Sequence, residues 1–251
     1  GMLDRLILND EAWARMAPHI IGDQRTRGSS GRDNRLFVEA VLWIVRTGAP
    51  WRDLPEGLGS WNSVFRRFSR WSAKGVWHRI FAAMADDPDF EYLIIDSTIV
   101  RATSIRRGKK GLEDQAIGRS RGGLSSKIHV AVRGLGCPVR ILVTAGQCGD
   151  APQAAALLAD DRPDVVLADA AYDADHFRTA IADAGALAVI PNNPSRSQKH
   201  PFDKHLDKER HLVECCFSRL KQFRRVATRY EKTARNFRAV VTLAATILWL
   251  R

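Results

Sequence analysis

Residues 91–96, EYLIID, decide how the rest of the chain is read. A short apolar run closed by an aspartate is the pattern of a strand buried on both faces, as in a sheet flanked by helices. Downstream, 127–146 (KIHVAVRGLGCPVRILVTAG) reads as two strands joined by a Gly-containing turn, most simply a hairpin. Then come a capped Ala/Leu helix at 150–160 (DAPQAAALLAD), a second apolar strand ending in aspartate at 164–169 (DVVLAD), a helix at 173–185, a strand at 186–191 (ALAVIP) and a polar connection at 192–208. Helices at roughly 208–223 and 233–249 close the chain.

Strand, hairpin, helix, strand, helix, strand, helix, helix predicts an α/β fold, a mixed five-stranded sheet flanked by helices. The order matches a ribonuclease-H-like core. Between the first strand and the hairpin, 101–127 (RATSIRRGKKGLEDQAIGRSRGGLSSK) holds eight Lys/Arg against two acids and reads as a loop that is mobile or wraps a ligand.

Upstream the pattern is helical. NDEAWARMAPHI (9–20) opens on a capping sequence; GDQRTRGSSGRD (22–33) is a loop; DNRLFVEAVLWIVRTG (33–48) has Asp33 as N-cap and Gly48 as its stop. SWNSVFRRFSRWSAKG (60–75) carries an apolar stripe of Trp61, Val64, Phe65, Phe68 and Trp71, with Arg66, Arg67 and Arg70 off it. A short helix at 76–86 follows, and DDPD at 86–89 is a natural boundary. The division expected is a small helical domain over 1–88 and the α/β domain over 89–251.

The chain has 251 residues, 45% of them hydrophobic, and a net charge of +11 with pI ≈ 10.0, which points to a polyanionic partner, nucleic acid first. Its four cysteines form no C-x-x-C pair, and adjacent Cys215–Cys216 is poor disulfide geometry, so a reducing cytosol is expected. GMLDRLILND has an acid where a signal peptide needs cations, and the apolar run VVTLAATILWL is eleven residues, too short to span a bilayer; no membrane role is expected.

Asp96 and Asp169 each stand just past an apolar strand. Carboxylates at the carboxyl end of neighbouring strands face a crevice, and two of them brought together repel unless a cation lies between; for oxygen donors that cation is Mg²⁺ or Mn²⁺. Either aspartate alone also reads as a turn former. Glu214 is the third candidate, an acid in a tail (208–251) with eleven Lys/Arg and three Asp/Glu. At about 100° per residue, Arg210 and Lys221 share its helix face while Val213, Phe217 and Leu220 take the neighbouring one. Intrahelical pairing is the bland alternative for Glu214. Asp150, Asp164, Asp173 and Asp175 read as caps or turns, Glu231 as a surface pair, and the cysteines beside Glu214 as packing residues.

The chain resembles the DDE transposases of bacterial insertion sequences, specifically the insertion-sequence-five-like family. The resemblance runs over nearly the whole chain, through GRDNRLFVEAVLWIVRTGAPWRDLP, IDSTIVRA, GRSRGGLSSKIH, LADAAYDAD and RHLVECCFSRLKQFRRVATRYEKTARNF. Arg210-x3-Glu214-x6-Lys221 fits the Y-x2-R-x3-E-x6-K signature, with Asp207 in the place of its tyrosine. The resemblance implies that Asp96, Asp169 and Glu214 hold two Mg²⁺ (or Mn²⁺) ions roughly 3.5–4 Å apart, one activating water and then a 3′-hydroxyl, the other stabilising the leaving oxygen. It implies that Arg210 and Lys221 hold the DNA backbone, and that a homodimer forms on double-stranded DNA. Basic residues beyond the signature (Lys127, Arg224, Arg225, and Arg66, Arg67 and Arg70 on the N-terminal helix) are further candidate DNA contacts. A metal-dependent nuclease without strand transfer, and a catalytically silent DNA-binding protein, are the competing readings.

Overall fold

A computed structural model describes residues 6–20, 33–86, 91–103 and 115–251. Nearly all of the expected loop at 22–33, the middle of the basic segment at 101–127 and most of the boundary at 86–89 lie outside the described residues. The chain divides into two compact units, one of residues 1–86 with 220–251 and one of residues 87–219.

In the first unit the caps act where the sequence puts them. Helix α1 (Asp10–Met16) starts at Asn9, whose side chain accepts the Ala12 N–H. Helix α2 (Asn34–Thr47) starts at Asp33, which accepts the Leu36 N–H, and stops at Gly48, whose φ of 70° suits a residue without Cβ. Helices α3 (Trp61–Ala73) and α4 (Val76–Met84) complete the N-terminal set. Their apolar faces meet as an aromatic core: Phe37 stands edge-on to Trp71 at 4.9 Å, and Trp71 lies 5.0 Å from Trp77.

The second unit is built on β1 (Tyr92–Ala102). The strand was expected to end at Asp96, but it runs six residues further. The run Thr98-Ile99-Val100 favours extended backbone, and it stays paired with its antiparallel neighbour as far as Arg101↔Ser125. That neighbour is β3 (Gly123–Arg133), which forms a tight hairpin with β2 (Gly118–Ser120) and pairs beyond it with β4 (Pro138–Ala145). Both ends of the segment expected to be a loop are therefore strand, and β2 is an addition to the five strands expected.

Helix α5 (Ala151–Leu158), β5 (Val165–Leu167), α6 (Asp175–Asp183) and β6 (Leu187–Val189) follow. The sheet order is β2-β3-β1-β5-β6 with β4 beside β2 on β3; β1, β5 and β6 run parallel. Leu93, Ile95, Ala131, Val166, Leu157, Phe177 and Ile181 make the core between one sheet face and α5 and α6. Each buried aliphatic there contributes about 1.5–3 kcal/mol. A single turn, α7 (Lys204–Asp207), precedes α8 (His211–Lys221). Helix α8 is tied to the β3–β4 turn by Arg219 Nη2, which donates to the Gly136 carbonyl at 2.7 Å.

The chain then re-enters the first unit through α9 (Arg224–Ala227) and α10 (Ala234–Trp249). Helix α10 packs on α4, and its apolar run from Ala239 to Leu248 is buried, as expected of a core helix. Residues 220–251, which the division at 88/89 places with the α/β half, thus share a core with the N-terminal helices. Among the described residues no helix is long and apolar enough to cross a membrane.

Candidate active site

Strand register brings the two aspartates together. The last β1–β5 pair is Ile94↔Leu167, and both Asp96 and Asp169 lie two residues past it. Parallel neighbours are about 4.8 Å apart, so equal positions on adjacent strands place these residues side by side where β5 has ended and β1 continues. Both aspartates therefore lie at the carboxyl edge of the parallel strands, beyond the end of the short β5, although β1 itself does not end at Asp96.

Each carboxylate is held by the backbone beside it. Asp96 Oδ1 accepts the Ser97 N–H at 2.8 Å; Asp169 Oδ1 accepts the Ala171 N–H at 2.9 Å and caps the turn Ala170–Tyr172. Burial, above all, pushes the Asp96 carboxyl up to about 6. Asp169 and Asp150 push the same way, while the Ser97 N–H and Arg210 pull it back. Keeping this half-buried group ionised beside other acids costs free energy that a cation would relieve. Hard oxygen donors in such a field suit Mg²⁺ or Mn²⁺, so the two aspartates fit a divalent ion.

Asp150 is an acid that sequence reasoning left as a cap. It occupies the N-cap position of α5 but makes no capping bond. Its Oδ1 instead accepts from Lys127 Nζ at 2.9 Å and lies 3.8 Å from His129 Nδ1. Lys127 also donates to the Cys148 carbonyl at 2.7 Å, so this ammonium is engaged inside the fold. Burial, first of all, drives the His129 imidazole down to about 4, against the pull of Asp150, so the ring is neutral at pH 7. Lys127 and His129 at alternate positions of one strand were the legible signal: they share a face.

Glu214 is exposed in the first turn of α8, while Val213, Cys216, Phe217 and Leu220 are buried. Among the described residues no three His, Cys, Asp or Glu groups stand together in metal-holding geometry, so Glu214 is not gathered with Asp96 and Asp169. Arg210 is half-buried just ahead of α8. It makes a 3.5 Å pair with Asp207 and is near enough to bias Asp96. The residue in the signature's tyrosine position thus partners the signature's arginine. Cys216 packs inside, its thiol pushed up to about 12 by burial, whereas Cys215 is exposed and not a packing residue.

The remaining basic candidates separate by exposure. Arg66, Arg70 and Arg224 are exposed. Arg67 lies over the rings of Phe37 and Trp71, 4.2 and 5.0 Å from their centroids, and hydrogen-bonds Asn34. Arg225 is buried and donates to Glu231 Oε1 at 2.5 Å and to the Ala49 carbonyl at 2.7 Å; Glu231, expected on the surface, is buried with it. Lys221 is half-buried at the end of α8. Asp173, expected to cap α6, has a fully buried side chain paired with Arg178 and Arg196, and Ala174 occupies the cap position instead.

Residues 8–81 match the family model described as a putative transposase of the IS4/5 family, and residues 87–249 match the transposase DDE domain. The chain is 47% identical over 130 residues to a putative transposase for insertion sequence element IS6501 of Brucella ovis; the match takes in 51% of this chain and all of that protein. It is 43% identical over 108 residues to uncharacterized protein y4sN of Sinorhizobium fredii, covering 41% of this chain and 86% of that one. Among solved structures it resembles the piggyBac transposase in a synaptic complex with hairpin DNA. There the TM-score is 0.52 at 10% identity, over 99% of this chain and 74% of the other, a likeness of fold.

Proposed function

The chain belongs to the DDE transposases of insertion sequences, and from that premise we propose a specific activity and site for it. It binds the double-stranded ends of its element as a homodimer. It then cleaves them and joins them to target DNA, with Asp96, Asp169 and Glu214 holding Mg²⁺ or Mn²⁺. The observation that carries this is the equal register of Asp96 and Asp169 beyond the end of β5, with Asp96 raised to about 6.

When bound, the metal supplies the Lewis acidity that makes a water or a 3′-hydroxyl nucleophilic and eases departure of the 3′ oxygen. The protein supplies placement. Ser97 and Ala171 N–H groups each fix one carboxylate oxygen, which leaves the other oxygen of each aspartate for the cation. Glu214, on a helix anchored at Gly136 by Arg219, is the third ligand, brought in when metal and DNA are present. Arg210 balances the acids and presents its guanidinium to a phosphate; Lys221, Arg224, Arg66 and Arg70 are further phosphate contacts of the other unit.

Cleavage and joining of labelled element ends in Mg²⁺ test the reading. Asp96→Asn, Asp169→Asn and Glu214→Gln are each expected to lose both products while still binding the ends. Retained cleavage in Asp96→Asn would remove it from the site; cleaved ends that are never joined would make the protein a nuclease.

A further inference from the structure

The two aspartates differ in what holds their backbone. Asp96 lies inside β1 and stays paired with Val130 of β3. Asp169 pairs with no strand among the described residues: β5 ends at Leu167, and the Ala168 N–H makes a last tie to the Val189 carbonyl of β6 at 3.3 Å. Beyond that tie Asp169 is placed by one short turn. The Ala171 N–H donates to its carboxylate at 2.9 Å, the Tyr172 N–H to its carbonyl at 3.0 Å and the Asp173 N–H to the Ala170 carbonyl at 3.2 Å. Three residues of 3-10 geometry do not hold themselves in water, so something outside the turn must fix it.

The turn is tied down at Asp173, the residue directly after it. The Asp173 carboxylate is fully buried and accepts from Arg178 Nε on α6 at 2.7 Å, and from Arg196 Nε at 2.8 Å and the Asn193 N–H at 2.6 Å, both beyond β6. Arg196 Nη2 also donates to the Asp173 carbonyl at 3.4 Å, so one guanidinium grips the side chain and the main chain of the same residue. The grip is itself anchored. Arg178 Nη2 donates to the Ile190 carbonyl at 3.0 Å. The Asn192 side chain closes the segment carrying Arg196 by bonding the His200 carbonyl at 2.8 Å and the His200 N–H at 2.7 Å. Replacing buried ion pairs by apolar residues of similar volume is often neutral or stabilising, so stability alone does not explain three charges here. Directional, charge-assisted bonds do impose one geometry, and they impose it where the Asp169 turn ends.

We propose that Arg196 and Arg178, acting through Asp173, are positioning residues for the reaction: they fix the turn that sets where the Asp169 carboxylate stands. The inference rests on Asp169 being a metal ligand, as read above. Groups one step behind metal ligands typically change metal affinity by 10–100-fold when removed.

The test is Mn²⁺ binding by calorimetry on the full chain without DNA, well below the Tm of each variant, with near-UV circular dichroism to check the fold. The proteins are the wild type, Asp169→Asn, Arg196→Gln, Asp173→Asn, the Asp173→Asn/Arg196→Gln double variant and Arg140→Gln. Arg196→Gln leaves Asp173 paired with Arg178, so it reports on the link even where Asp173→Asn does not fold. Arg140→Gln is the control for stability: it removes an ion pair with Asp161 in the same unit, and Arg140 has no bond to the turn. The expected result is about tenfold weaker Mn²⁺ binding in Arg196→Gln, with Arg140→Gln at wild-type affinity. The double variant should bind no more weakly than Asp173→Asn, because Arg196 acts through Asp173. Wild-type affinity in folded Arg196→Gln, or an equal loss in Arg140→Gln, overturns the proposal and leaves a knot that serves stability alone; a double effect equal to the product of the singles overturns the route through Asp173. If the wild type binds no Mn²⁺, or Asp169→Asn binds it equally well, the metal reading of the site fails instead.

Discussion

Replacing Asp173 with asparagine should destabilise the α/β unit far more than an acid directly after a turn would suggest. The carboxylate is fully buried and takes three donors: Arg178 Nε at 2.7 Å, Arg196 Nε at 2.8 Å and the Asn193 N–H at 2.6 Å. Arg178 also reaches the Ile190 carbonyl at 3.0 Å, so one side chain binds α6, the end of β6 and the segment after it into a single knot. Asparagine keeps the volume but removes the charge and turns an amide N–H toward a guanidinium. Removing one partner of a buried ion pair costs about 3–5 kcal/mol, chiefly because the other is stranded. For a chain of this size each kcal/mol is worth roughly 2–4 °C in Tm, so a drop on the order of 10 °C is expected.

Urea unfolding at pH 7 measures the loss. The double variant Asp173→Asn/Arg178→Met should recover part of it by removing one stranded charge. The carboxyl is held down at about 2 by Arg196, the Asn193 N–H and Arg178, against the opposing effect of burial. Its stabilisation is therefore complete above the ordinary value of 3.8 and fades as pH falls toward 2. A loss below about 1 kcal/mol at pH 7, or one equal at pH 2 and pH 7, would refute the argument.

Other expectations rest on the same kinds of interaction. Glu231→Gln should cost about 3–5 kcal/mol in urea unfolding, because it strands the buried Arg225 guanidinium. Asp96→Asn should raise the Tm of metal-free protein above pH 6 and leave it nearly unchanged at pH 3. The wild type loses stability as pH rises from the ordinary value of 3.8 to the elevated value of about 6 and carries the full cost above it, and a pH-independent difference would contradict this. Arg66→Gln and Arg70→Gln should each weaken binding to DNA ends and flatten the log K against log salt slope by about 0.9 for every phosphate left unneutralised, with Tm unchanged. Arg67→Ala should instead lower Tm, since its guanidinium stacks on Phe37 and Trp71.

Periodicity and caps were enough to read the element order apart from β2 and the short helices α7 and α9, the helices started by Asn9 and Asp33, the buried character of α10 and the apolar strands carrying Asp96 and Asp169, because these depend on residues close in sequence. What the first strand does after Asp96 was not legible. It continues because β3 keeps pairing with it, and Asp169 lies beyond the ladder because β5 stops at Leu167. Both are facts of register between segments some 30 to 70 residues apart. The same holds for the charges. Lys127, Arg67, Arg225, Glu231 and Asp173 are indistinguishable by composition from solvated residues, and their burial depends on which partner the fold delivers. Local sequence named the acids; the meeting of Asp96 with Asp169, Asp150 and Tyr172 comes from strand order, since carboxylates distant along the chain affect one another only once folding has removed the water between them.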